Sequence, residues 1–93
     1  MKIFVQIASY RDPQLVPTIK DMLANAKKPN NLVIGIARQY SPEDGFDNLD
    51  EYKDDKRFRI LDIPYQDAKG VCWARHQVQQ LYKGETYTLQ IDS

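Results

Sequence analysis

Two stretches of this chain lack the polar alternation of a half-exposed strand: residues 3–8 (Ile-Phe-Val-Gln-Ile-Ala) and residues 32–37 (Leu-Val-Ile-Gly-Ile-Ala). A nearly unbroken apolar run rich in β-branched residues has to bury both of its faces. That is the signature of strands in a parallel sheet covered by helices, so these two runs restrict the fold more than any other feature.

The intervening segments supply the helices. Leu15, Ile19, Met22, Leu23 and Ala26 fall on one face of a helix. Asp12 followed by Pro13 is a good helix start, with a side-chain acceptor and then a residue of preset φ. Pro17 predicts an irregular or kinked opening turn. Lys27-Lys28 suit the negative end of the helix dipole, and Pro29 ends the run. Residues 58–63 predict a third strand, stopped by Pro64. A second helix fits from Gly70, with Val71, Ala74, Val78, Leu81 and Tyr82 on one face and Lys83-Gly84 at its end. Residues 87–91 read as a short buried strand, with Leu89 and Ile91 on one face, ending in Asp92. The order β-α-β-β-α-β predicts an α/β fold: a Rossmann-like parallel sheet with flanking helices. The expectation is one domain over residues 1–93.

Residues 41–56 interrupt the pattern. They open with turn residues and carry seven acids, and read as a solvated acidic loop with Phe46, Leu49 and Tyr52 as its anchors. A cation site built from these acids is the alternative.

Composition removes several functions. The formal net charge is zero, which gives no support to nucleic acid or an anionic membrane as a partner. Cys72 is the only cysteine, so neither an internal disulfide nor a cysteine zinc cluster is available, and a reducing, cytoplasmic compartment is expected. No apolar run approaches the roughly 20 residues of a membrane span. No glycine-rich dinucleotide or ATP loop follows a strand, and the single histidine, His76, does not make a nucleophile–base pair.

Ligands of open α/β sheets bind beyond the carboxyl ends of the strands. Topology alone brings residues 9–12, 38–40 and 92–93 to that edge, with the start of the Gly70 helix beside them. Its free N–H groups suit a phosphate. Asp92 there can hold a hard divalent cation or serve only as a strand-end cap. Ser9 and Gln39 are placed to hydrogen-bond a base or ribose. Tyr10 can stack on a ring or pack. Asp12 reads as a cap more than as a ligand. Gly70 permits close backbone approach to a phosphate or simply starts the helix. Cys72 and Trp73 read as packing residues, and His76 as solvated.

Three segments in order resemble a known family: residues 3–13 (Ile-Phe-Val-Gln-Ile-Ala-Ser-Tyr-Arg-Asp-Pro), residues 70–75 (Gly-Val-Cys-Trp-Ala-Arg) and residues 84–93 (Gly-Glu-Thr-Tyr-Thr-Leu-Gln-Ile-Asp-Ser). Together they resemble the GlcNAc-transferases that include the Skp1 hydroxyproline enzymes and, more broadly, GT-A glycosyltransferases. The resemblance implies a GT-A fold, of which this chain is the first half, a UDP-sugar donor, and Mn²⁺ or Mg²⁺. It implies transfer of a sugar, GlcNAc by analogy, to an acceptor hydroxyl on a protein or glycan. Asp92 and Ser93 match the first two positions of an Asp-Ser-His metal motif. Arg75 would reach the uracil or the diphosphate, against the alternative of a salt bridge to Asp92 or Asp67. Arg11 would meet the nucleotide, against a surface role. The third metal-motif position, the acceptor half and any catalytic base are expected after Ser93. The 93-residue chain alone is therefore expected to be inactive and to self-associate through an exposed sheet edge. The rival readings are a non-catalytic α/β binding or oligomerisation module and, behind it, a nucleotidyltransferase.

Overall fold

The computed structural model describes residues 2–92, without the side chains of Val71 and Asp92. Ser93, the second position of the expected metal motif, lies outside the described residues. The elements are β1 (Ile3–Tyr10), α1 (Leu15–Asn25), β2 (Leu32–Tyr40), β3 (Phe58–Pro64), α2 (Val71–Gln79) and β4 (Tyr87–Asp92). Short 3₁₀ turns precede β2, cross residues 50–52 and follow β3. The four strands form one sheet in the order β3-β2-β1-β4, and every pair is parallel. The expected Rossmann-like α/β arrangement is the one observed.

Both faces of the central strands are covered, as their unbroken apolar runs require. On one face Val5 and Ile7 of β1 stand beside Ile34 and Ile36 of β2, under Leu15 and Ile19 of α1. On the other, Phe4, Val33, Ala37 and Ile63 pack against Val78 of α2. Gly35 is required by this second layer, because a Cβ there would stand 2.6 and 2.7 Å from two ring carbons of Phe4.

Four expectations about the elements and their ends change. β4 is not buried: it is an edge strand, and Tyr87 and Leu89 are 56% and 52% exposed. Periodicity gives the two faces of a strand but not whether an element covers them. α1 opens at Leu15, so Pro17 is its third residue and its missing N–H is one that the first turn leaves unpaired anyway. No kink is needed. The Asp12 carboxylate accepts the Gln14 N–H at 2.8 Å and organises the turn before the helix, while the N-cap is Gln14. α2 ends at Gln79, short of Lys83-Gly84, because Leu81 and Tyr82 bond three residues back in a tighter turn.

The acidic loop is anchored more deeply than its charge suggests. Leu49 and Tyr52 are buried in the α1-side core, and the Tyr52 ring stacks on Phe58 at 4.6 Å. Phe46, by contrast, is exposed, and Asp47 is buried. Among the described residues no helix is long and apolar enough to cross a membrane.

Candidate functional site

The carboxyl ends of β1 and β2 are locked together. Ser9 stands opposite Arg38 and Tyr10 opposite Gln39. Gln39 Nε2 donates to the Ser9 carbonyl at 3.0 Å, and the Arg11 N–H donates to the Gln39 carbonyl at 2.8 Å. Arg11 has φ 45°, a left-handed conformation that non-glycine residues adopt uncommonly. There the chain leaves the sheet and turns towards α1.

A cleft of about 270 Å³ opens at this edge, lined by Ala8, Tyr10, Gln39, Tyr65, Ala68 and Gly70. The lining residues arrive by four routes. Ala8 and Tyr10 end β1, Gln39 ends β2, and Tyr65 and Ala68 belong to the turn that Pro64 forces after β3. Gly70 caps α2 with φ 97°, which a side chain would strain, although a Cβ there would meet nothing within 4 Å. The first helical bond runs from the Ala74 N–H to the Gly70 carbonyl at 3.1 Å. The N–H groups at the start of α2 therefore have no partner within the helix. Other clefts lie elsewhere: one near β3 between Arg38, Lys53, Asp50 and Asp62, and one beside Ile3, Ala26 and Leu32 at the amino ends of the strands.

Two further expected residues lie on the β4 side of the sheet. Arg75, one turn into α2, is half-buried. With the Gln90 amide oxygen turned to it, that oxygen accepts from Nε at 2.6 Å and Nη2 at 3.0 Å. Asp92 is paired in register with Ala8, next to the cleft. A single strand-end carboxylate is a hard donor and fits a cation that keeps several waters and takes its other ligands from a diphosphate. Among the described residues there is no group of three or more His, Cys, Asp or Glu arranged to hold a metal.

Ser9 is buried, and its Oγ has no hydrogen-bond partner among the described residues. Tyr10 is 54% exposed at the cleft mouth. His76 is exposed and 3.3 Å from the Gln80 amide, as expected of a solvated residue. Cys72 is exposed rather than packed, because it lies on the outer face of α2, while Trp73 packs against the α2-side core.

Arg11 is more constrained than a surface residue. Its Nε donates to Asp44 Oδ2 at 2.7 Å and its Nη2 to Oδ1 at 3.2 Å. Its Cζ stands 4.9 Å from the centre of the Tyr65 ring. The guanidinium's hydrogen bonds hold the Asp44 carboxyl below the usual carboxylate range. Nearby, Arg38 Nη1 donates to the Asp47 carbonyl at 3.2 Å, and its Nε is 3.2 Å from Asp62 Oδ1, an ion pair too oblique for a hydrogen bond.

Sequence reasoning missed Tyr65, Ala68 and Asp44. The first two had a signal: the loop after a strand stopped by Pro64 must open at the same edge as the other strand ends. Asp44 had none, since nothing local distinguishes it from the other acids of its loop.

The glycosyltransferase (GlcNAc) family model matches residues 2–56 and residues 45–93 of the chain. No curated protein and no solved structure matches.

Proposed function

The chain belongs to the GlcNAc glycosyltransferase family, and we propose that it forms the part of such an enzyme that binds the nucleotide-sugar donor, within a GT-A fold of the Skp1 hydroxyproline GlcNAc-transferase type. The observation that carries this reading is the cleft beyond the ends of β1 and β2, walled by Tyr10 and Tyr65 and opening at the start of α2. Two aromatic rings and an amide suit a flat heterocycle with hydrogen-bonding edges. The amino end of α2 suits the phosphates attached to it. The donor is then a UDP-sugar, with GlcNAc as the sugar.

In this reading Tyr10 and Tyr65 flank the uracil and Gln39 lies at its polar edge, held there by the carbonyl of buried Ser9. The N–H groups of α2 and Arg75 hold the diphosphate, since a guanidinium fork matches phosphate oxygens. Asp92 would hold Mn²⁺ or Mg²⁺, whose chemistry is to neutralise the charge that grows on departing UDP. Gln90, which holds Arg75 through its amide oxygen, fixes the approach of that guanidinium. The acceptor is a hydroxyl on a protein or glycan. No residue of this chain is assigned as catalytic base. A cytoplasmic location completes the reading, supported by the exposed, unpaired Cys72.

Calorimetric titration with UDP-GlcNAc, with and without Mn²⁺, tests it. The expected result is binding that strengthens with metal in the wild-type chain and loses the metal dependence in Asp92→Asn. Binding that is equally strong in both chains, or that is unaffected by metal, would contradict the assignment.

A further inference from the structure

Resting on the nucleotide-binding reading above, we propose that Arg11 is a positioning residue, clasped by Asp44 behind the Tyr65 ring, and that Tyr65 is the wall on which the cleft stacks the heterocycle. The guanidinium is held side-on by both carboxylate oxygens, at 2.7 and 3.2 Å, which fixes its plane. Asp44 is itself fixed: its side chain is only 11% exposed, and its N–H donates to the carbonyl of buried Ser41 at 3.0 Å. The clasped guanidinium then lies 4.9 Å from the Tyr65 centroid. Tyr65 lines the cleft and Arg11 does not. The order is therefore carboxylate, guanidinium, ring, cleft.

The backbone supports this order. Arg11 sits at φ 45°, with its N–H bonded to the Gln39 carbonyl. A left-handed residue outside glycine costs energy and persists where its surroundings hold it. Its side chain crosses to the acidic loop, where it meets Asp44. The acidic loop thereby acquires a task that its charge alone does not reveal: through Asp44 and Arg11 it sets the stiffness of the cleft wall.

Three probes separate this role from direct anion binding: uridine, UDP and inorganic pyrophosphate, each titrated by calorimetry. Tyr65→Ala is expected to weaken uridine and UDP alike by about tenfold or more, the usual worth of a base–aromatic stack. Asp44→Asn and Arg11→Met are expected to weaken the same two ligands by roughly three- to tenfold through the loosened ring, with pyrophosphate unchanged. Asp44→Glu, which can still pair, should recover most of the loss. If Arg11→Met spares uridine and weakens UDP and pyrophosphate, Arg11 is an anion ligand and the proposal falls. A ligand-free measurement runs beside this, with thermal melts confirming that each variant folds. Asp44→Asn must shift the Tyr65 ring resonances, and unchanged resonances overturn the clasp whatever binds. If the wild-type chain binds none of the three probes, the nucleotide reading and the stacking role fail together, while the resonances still decide whether Arg11 and Asp44 hold the ring.

Discussion

Asp47 is a carboxylate in the wrong solvent. It is 1% exposed, and its Oδ2 has no hydrogen-bond partner among the described residues. Burial pushes its carboxyl above the ordinary value of 3.8, opposed in part by the nearby Arg38 charge. A raised folded-state value means that the folded chain binds the proton more tightly than the unfolded one. Stability therefore falls as pH rises from 3.8 through the raised value, and the cost persists at neutral pH. Asp47→Asn removes the charge at nearly constant shape. It is expected to raise stability on the order of 1 kcal/mol at pH 7, measured by urea unfolding. The gain should shrink in acid, where Asp47 is already neutral in both states. A loss at pH 7 would mean that Arg38 holds the charge more firmly than burial penalises it.

At the scale of elements, β2 is the axis of the fold, and Gly35 is its narrowest point. Phe4 is fully buried and rests over this glycine, with Val78 of α2 close by. Ring carbons 2.6 and 2.7 Å from a new Cβ have nowhere to retreat within a packed interior. Gly35→Ala is expected to cost about 1–3 kcal/mol, seen as a lower urea midpoint with unchanged slope. An unchanged midpoint would show that the α2 layer is loosely packed. The strands β1 to β3 and both helices were legible in the sequence, because apolar runs and helical periodicity report local burial directly. The positions of Ser9, Tyr10, Gln39, Gly70 and Asp92 at one edge were legible from topology. The exposure of β4 was not, since a strand at the rim and one at the centre share a pattern. Asp44 was not legible either: what marks it is contact with Arg11, 33 residues away, and Tyr65 was legible only as part of the loop that opens at this edge, not as the ring beside that guanidinium.

The molecule as a whole has two unlike edges. The β3 edge carries Arg59, Asp62 and Pro64, the kinds of residue that discourage pairing. Arg59 also binds the Glu85 carboxylate at 3.0 and 3.3 Å and the Leu81 carbonyl at 2.7 Å, tying β3 to the loop before β4. The β4 edge, Tyr-Thr-Leu-Gln-Ile-Asp, has no proline or lysine and presents half-exposed Tyr87 and Leu89. A net charge of zero adds no repulsion between copies. The 93-residue chain is therefore predicted to self-associate through β4 at high concentration, and Leu89→Lys to return it to the monomer. Sedimentation velocity checks this, and a wild-type monomer at millimolar concentration would refute it.

The central claim is that nucleotide and metal meet at the carboxyl edge beside Asp92. Mn²⁺ broadens the resonances of nearby nuclei, so the most direct measurement is the amide spectrum of the chain with UDP as Mn²⁺ is added. Signals at residues 8–10, at the start of α2 and at Asp92 are expected to be lost selectively, and only with UDP present. Broadening confined to the acidic loop at residues 43–55, or broadening indifferent to UDP, would contradict it.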